Sequence, residues 1–551
     1  MTTLWWQHGI IYQIYPRSFA DSTGDGIGDL NGITAKMDYL ADLGIDAVWL
    51  SPFFPSPDAD FGYDVADYCD VDPKFGTLAD FDRLVEQAHA RNIRIILDLV
   101  LNHTSSQHPW FIESRSSRDN PKRDWYIWAD PAPGGKPPNN WQSVFGGPGW
   151  EKDAATGQMY YHMFYKEQPD LNWHNPEVRS AILDVFRFWL DRGVDGFRLD
   201  VFNVYFKCAD RTSNNPVRFP LPIYGFAGQQ HRFDCDQPEM IPLLAEIRAL
   251  LDSYSTPGRE RYVVGETFLD GAEKAASYVG PDRLHAAFNF EFLHQKWNAH
   301  GFAEAFQRWE HALGENWPNN VLNNHDVVRS ATRYSPRVGP LPVGDPEADA
   351  RMKVAAAMLL TLRGTPFLYY GEEIGMRDIP IRTKADVLDP VGQRLWPFFK
   401  GRDGCRSPMQ WSAEHNTGFT TSQAHPWLPV HENASARNVE NQQQDPDSLL
   451  NFYRKLIGLR RAHPALTEGM CQPVTFGTRY LMAFLRQTND ETILVVLNFS
   501  GRKQRFVMGS HLLRTHWELL LSTHRDALPA VRNSVLPLAP YEVMVLKTVT
   551  K

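Results

Sequence analysis

The chain is poor in cysteine, with five in 551 residues: Cys69, Cys208, Cys235, Cys405 and Cys471. An odd, scattered set builds neither a disulfide framework nor a C-x-x-C metal pattern, so the thiols are expected to be reduced and mostly buried. Long apolar runs are missing as well. The longest, such as Val354 to Leu360, fall far short of what a bilayer requires. Between Met1 and Pro16 no basic segment precedes an apolar stretch, and the expectation is a soluble, unexported, cytoplasmic protein. Charge of one sign is nowhere concentrated: 56 basic residues face 65 acidic ones, a net charge of −9, without a like-charge run. That argues against nucleic acid or a membrane surface as partner and points to a small neutral ligand.

What the chain does have is aromatic content, 13% with 17 tryptophans, which suits large cores and the C–H faces of sugar rings alike. Its length predicts a large domain with at least one smaller one. Eight short β-rich runs alternate with helical patterns: Ile10 to Tyr15, Ala47 to Leu50, Arg94 to Val100, Gly196 to Leu199, Tyr262 to Gly265, Ala286 to Phe290, Asn320 to Leu322 and Phe367 to Tyr370. Helices are expected at Ile33 to Leu43, Leu78 to Ala90, Val178 to Arg192, Met240 to Leu251 and Ala350 to Thr361. Eight alternations predict an α/β fold, a closed parallel (β/α)8 barrel whose site lies at the C-terminal strand ends.

The barrel is expected over residues 1–102 and 175–466. A Trp-, Pro- and Gly-rich insertion, 103–174, is too long for a structureless loop and is read as a protruding domain B. A polar excursion at about 372–444 follows the eighth strand as another wall of the site. Alternating segments such as Tyr480 to Arg486 and Thr492 to Asn498 predict a C-terminal antiparallel β domain over 467–551.

In Asp195-Gly196-Phe197-Arg198-Leu199-Asp200, period-2 alternation points Arg198 and Asp200 to one side of the fourth strand. The guanidinium favours an ionised Asp200, as a nucleophile requires. The apolar strand Tyr262 to Gly265 delivers Glu266, whose surroundings suit a carboxyl that holds a proton near neutrality. Asn324-His325-Asp326 and Asp98 to His103 end the seventh and third strands. Each segment alone could be structural. Together they gather Asp200, Glu266 and Asp326 with two histidines and an arginine on one rim, and a nucleophile with an acid/base is what retaining glycoside hydrolysis needs.

In Asp21-Ser22-Thr23-Gly24-Asp25-Gly26-Ile27-Gly28-Asp29, oxygen ligands stand at every second residue with glycines for the turn, the pattern of a hard-cation loop. It lacks the EF-hand glutamate, since Gly32 stands at the twelfth position.

These segments, with Gln168-Pro169-Asp170-Leu171-Asn172 and the stretch from Gly401-Arg402-Asp403 to Gln410-Trp411, resemble glycoside hydrolase family 13, the α-amylase superfamily, and its oligo-1,6-glucosidase/α-glucosidase group. The resemblance implies a glucosyl intermediate on Asp200, proton donation by Glu266 and transition-state support from Asp326. It places Arg198, His103 and His325 around the reacting sugar, Tyr63 as ring platform, Asp64 with Arg406 as its partner gripping the terminal glucose, and Phe145 and Phe164 along the pocket. It implies a structural Ca2+ (or Mg2+) held by Asp21, Asp25, Asp29, the Ile27 carbonyl and the Thr23 side chain, and no catalytic cofactor. Val201, after the nucleophile, accompanies α-1,6 preference in similar enzymes, and Phe202 to Glu239 helps to shape the aglycone side. The rivals are a transferase or isomerase sharing the same intermediate, though the Arg-Leu-Asp-Arg-Asp segment of sucrose isomerases is absent, and a non-catalytic barrel subunit.

Overall fold

The computed structural model describes residues 4–218, 225–268, 271–335, 345–475 and 479–549. Parts of two segments discussed above, 219–224 on the aglycone side and 476–478 in the C-terminal region, lie outside these residues. Eight parallel strands form one sheet: β1 (Ile11–Ile14), β2 (Ala47–Leu50), β3 (Arg94–Leu99), β4 (Gly196–Leu199), β5 (Tyr262–Gly265), β6 (Ala286–Ala287), β7 (Asn319–Val321) and β8 (Thr365–Tyr369). Its order is β7-β8-β1-β2-β3-β4-β5-β6, with β8 returning to β1 through Ile11 opposite Phe367. The sheet is therefore a nearly closed barrel. At the seam between β6 and β7, the Asn289 N–H donates to Asn319 Oδ1 at 3.3 Å.

Strand alternation sorts the core. Ile11, Trp49, Ile96, Val264 and Phe367 belong to one buried cluster, while their neighbours Tyr12, Val48, Ile95, Val263 and Leu368 belong to a larger one with the surrounding helices. The helices follow the predicted apolar stripes with capped ends: Thr77 opens Leu78–His89, Asn175 opens Pro176–Asp191 with proline in its first turn, and Asp345 opens Pro346–Thr361.

Two elements depart from expectation. The helix expected from Ile33 begins earlier, because the Asp29 side chain caps it by accepting from the Gly32 N–H, and it breaks at Lys36 into Leu30–Ala35 and Met37–Leu43. The sixth strand stops at Ala287, because Asn289 accepts from the Phe292 N–H and turns the chain into a helical turn, Phe290–Leu293.

Between β3 and β4 lies a three-stranded antiparallel sheet of Trp128–Ala129, Trp150–Lys152 and Met159–Tyr161, with its base pinned by bridges of His103 to Asp170 and Tyr126 to Leu171. Its aromatic core, including Trp141, Trp150 and Phe164, is continuous with Val201 and Val204 beyond β4, which seats the insertion beside the barrel mouth. After the barrel, a five-stranded antiparallel sheet includes Leu481–Gln487 and Thr492–Asn498. Buried Arg486 ties it back by donating to the Thr361 and Leu466 carbonyls at 2.6 and 2.8 Å. No helix among the described residues is long and apolar enough to cross a membrane, and none of the five cysteines is in a disulfide.

Candidate active site

On β4 the inward residue Arg198 stands opposite Asp98 of β3 and Val264 of β5. The residue is 1% exposed and its guanidinium is the hub of the site. Nη1 donates to Asp98 Oδ1 at 2.6 Å and to Asp200 Oδ1 at 2.7 Å, and Nη2 contacts Glu266 Oε2. Asp98 also accepts from Trp49 Nε1 at 3.2 Å and Tyr63 Oη at 3.1 Å, so the arginine is held from behind while its free edge faces two carboxylates. Burial raises the Asp200 carboxyl to about 6 against the pull of Arg198. Glu266, expected among apolar groups, lies instead against the guanidinium. A Cβ on Gly265 would stand 2.4 Å from Phe202 Cε1, so only glycine lets β5 end close enough to bring Glu266 to the rim.

The two histidines are neutral and oriented. Burial lowers His325 to about 3 and also lowers His103. Gln13 Nε2 lies 2.8 Å from His325 Nδ1; with the amide so placed, the ring accepts there and its Nε2–H donates to Asp326 Oδ2 at 3.2 Å. Tyr63 stacks on His325 with centroids 5.2 Å apart and an interplanar angle of 6°. His103 Nε2 donates to the Tyr63 carbonyl at 2.9 Å.

At the inner end the structure corrects one expected pair. Asp64 does not meet Arg406: its carboxylate accepts from Ser56 Oγ and from the Ala59 and Asp60 N–H groups, all at 2.9 Å. The reason is local. Left-handed Phe61 (φ 47°) and Gly62 (φ 103°) reverse the chain, fold Asp64 back onto its own turn and leave Asp60 facing the cavity. Asp60 pairs with Arg402 Nη2 at 2.6 Å, and Arg402 also meets Asp389 at 2.9 Å and Asp326 at 3.4 Å. Arg406 lies behind this layer, donating to the His325 carbonyl at 2.8 Å and to Asp326 Oδ1 at 3.0 Å. Burial pushes Asp326 up, but His325 and the arginines 402, 406 and 198 outweigh it and hold the carboxyl well below its usual range. Gln168 completes the wall, with Nε2 donating to Asp60 at 3.3 Å and to the Tyr63 carbonyl at 3.1 Å.

The site opens onto one cavity of about 730 Å³, behind which Arg198, Asp98, Asp64, Asp389 and Arg406 stand. It is lined by Tyr63, His103, Asp200, Glu266, His325 and Asp326, with Phe145, Phe164 and Val201 as expected, and also by Asp60, Arg402, Phe268, Phe290 and Phe399. Val201 adopts φ 35°, ψ 40°, rare for a β-branched residue, so the chain turns sharply beyond Asp200 and sets the valine side chain in the wall. Sequence reasoning missed Asp60 and Arg402. Both lie within or beside motifs already noted, but nothing in the spacing says which of two nearby aspartates, or of two nearby arginines, turns inward.

The Asp21–Asp29 loop lies away from this cavity. Asp21 accepts from the Thr23, Gly24 and Gly26 N–H groups at 2.9, 2.7 and 2.8 Å, and Asp29 accepts from Ser22 N and Gly32 N at 2.7 Å each. Asp25 accepts from the Ile27 N–H at 2.8 Å. The carboxylates do not converge to within 4.8 Å of one another, but the donor set of Asp21, Thr23, Asp25, Ile27 and Asp29 is all oxygen, which fits a hard divalent cation.

Residues 13–469 match the model of the α-amylase catalytic domain, and the chain belongs to that family. It is 45% identical to a probable alpha-glucosidase of Rhizobium meliloti, over 90% of this chain and 89% of that one. It is 38% identical to an oligo-1,6-glucosidase of Parageobacillus thermoglucosidasius over 99% of both. Among solved structures, an alpha-glucosyl transfer enzyme superposes over 100% of both chains with a TM-score of 0.90 at 42% identity.

Proposed function

We propose that the protein is a retaining exo-α-glucosidase that removes terminal α-linked glucose from short oligosaccharides, with a preference for α-1,6 links. The observation that carries this reading is the shape of the charge in the cavity. Asp200 and Glu266 flank one guanidinium, while Asp60, Arg402, Asp326 and His325 close the inner end with groups that hydrogen-bond hydroxyls. A closed polar end accepts one terminal sugar ring and stops the chain there. In this mechanism Asp200 attacks the anomeric carbon and Glu266 protonates the departing glycosidic oxygen. Glu266 then takes a proton from the water that opens the glucosyl ester, restoring both carboxyls with the anomeric configuration retained. Asp326, ionised at any working pH, stabilises the positive charge that develops on the ring.

Val201 supports the linkage reading. A valine in the wall beside the nucleophile offers methyl groups and no hydroxyl to the leaving sugar. The alternative acceptor is a sugar hydroxyl instead of water, favoured by the aromatic outer rim of Phe145, Phe164, Phe268, Phe290 and Phe399 and by the likeness to a glucosyl transfer enzyme. Rates and products with isomaltose, maltose, sucrose, kojibiose, nigerose and trehalose test both readings. Isomaltose should be hydrolysed fastest, with release of α-glucose; faster cleavage of maltose overturns the linkage preference, and mainly longer or rearranged sugars overturn hydrolysis. The cation loop is read as structural: Ca2+ or Mg2+ on Asp21, Thr23, Asp25, Ile27 and Asp29 would brace the turn after β1 and supply no chemistry to the reaction.

A further inference from the structure

Behind the aglycone wall, the segment His231-Arg232-Phe233-Asp234-Cys235 brings three side chains of different chemistry together. One ligand atom each of His231, Asp234 and Cys235 lies within 4.8 Å of the other two, the only such gathering of His, Cys, Asp and Glu among the described residues. Asp234 is 0% and Cys235 4% exposed, and the His231 side chain is 8% exposed beside exposed Arg232. The ring's orientation is informative. His231 Nε2 lies 3.0 Å from the Phe226 carbonyl, which can only accept, so this nitrogen carries the proton. In the neutral ring Nδ1 is then a bare lone pair, yet it faces both Asp234 oxygens at 3.2 Å. Two acceptors at that distance repel unless a cation stands between them: a second proton on the ring, or a metal ion. Metal-ligating histidines commonly donate their far N–H to a backbone carbonyl, as His231 does, which leaves the near nitrogen free to ligate.

We propose that His231 Nδ1, Asp234 and Cys235 Sγ form a binding site for a borderline-soft divalent cation, Zn2+ in the first place, with water as the fourth ligand. The thiol is what separates a metal from a mere imidazolium pair, since it adds nothing to a proton shared by His231 and Asp234 but is a preferred zinc ligand. The spacing agrees: bonds of about 2.0 Å to nitrogen and oxygen in a tetrahedral site put those two atoms about 3.3 Å apart. Cys235 gives up its proton to solvent on binding and ligates as the thiolate. The site differs in chemistry from the all-oxygen loop at Asp21–Asp29 and is independent of it.

Its position gives it leverage on the pocket. The Phe226 ring stacks on His231 with centroids 3.7 Å apart and meets Phe268 at 5.7 Å, and Phe268 lines the cavity two residues after Glu266. The next residue, Asp236, donates its N–H to the Asn203 carbonyl at 2.7 Å, and Asn203 Oδ1 accepts from Phe268 N at 2.7 Å. An ion here would tie the loop to the wall against which the leaving sugar rests.

The test reads the metal itself and so stands or fails apart from the glucosidase reading. The full chain, with Ca2+ in excess to occupy the oxygen loop, is titrated with Co2+ and then with Zn2+ while its spectrum is followed. The expected result is one equivalent of Co2+ with a near-ultraviolet thiolate charge-transfer band and tetrahedral visible bands, displaced by Zn2+. The band should vanish in Cys235→Ser, and affinity should fall at least about ten-fold in His231→Gln. No thiolate band, or one that persists in Cys235→Ser, overturns the site. If Cys235→Ser does not fold, an unchanged Co2+ titration in His231→Gln overturns it equally.

Discussion

The two ends of the cavity are built on opposite principles. The inner end is a lattice of buried charge in which Asp60, Asp326, Asp389, Arg402 and Arg406 neutralise one another at 2.6 to 3.4 Å. Elsewhere the cavity is lined by phenylalanines 145, 164, 268, 290 and 399, with polar side chains such as His294, Gln295 and Arg308 among them. Buried hydrogen-bonded charge discriminates strongly, because a sugar lacking a hydroxyl leaves a group unpaired, whereas aromatic faces accept many sugar surfaces at similar cost. Under the proposed function, one end is expected to select glucose and the other to admit a range of leaving groups and acceptors.

The largest effect should come at the junction of the two ends. Asp200→Asn should lower kcat by about four orders of magnitude or more while circular dichroism stays unchanged, since in the proposed mechanism Asp200 is the carboxylate that forms the glucosyl ester. Substantial activity in that variant breaks the mechanism.

Next come the inner charges. Asp60→Asn or Arg402→Met should reduce kcat/KM about a hundred-fold or more for every α-glucoside, whatever its aglycone. Asp64→Asn should cost stability in a thermal melt and leave kcat/KM within about three-fold, because its carboxylate serves the turn alone. The reverse ranking would restore Asp64 to the sugar.

The pH profile sharpens the same contrast. Asp200 must be ionised to attack, and burial places its carboxyl at about 6, so kcat/KM should be on its plateau above that value and fall as pH drops through it. Removing the positive charge in Arg198→Gln should move this acid limb to higher pH. A limb that does not move assigns it to another group.

The outer rim should respond less. Val201→Thr should shift the ratio of α-1,4 to α-1,6 cleavage by about ten-fold toward α-1,4, read as relative kcat/KM for maltose and isomaltose, with glucose inhibition unchanged. Smallest is the cation loop, outside both ends: chelation should lower the melting temperature by about 2 °C, restored by Ca2+, with little change in KM.

Much of this was legible in the chain. Seven of the eight strands fall within a residue or two of where alternation put them, because a buried parallel strand must be an apolar run of limited length. Arg198 and Asp200 share a face for a reason that two-residue periodicity alone supplies. Asp60 was not legible, since the choice between it and Asp64 rests on left-handed backbone at residues 61 and 62 and on an arginine 342 positions away. Glu266 was found, but its neighbour was misjudged: strand composition reports the apolar residues before it, not the guanidinium brought by β4. His325 was found too, but its tautomer rests on Gln13, 312 positions away on β1.

The sequence by itself determined which elements form and which carboxylates end the strands, because propensity, capping and alternation act over a few residues. Only the tertiary structure decided which charges meet. An ion pair depends on side chains that strand order and turn geometry bring within about 4 Å from distant parts of the chain, and no local pattern encodes that distance.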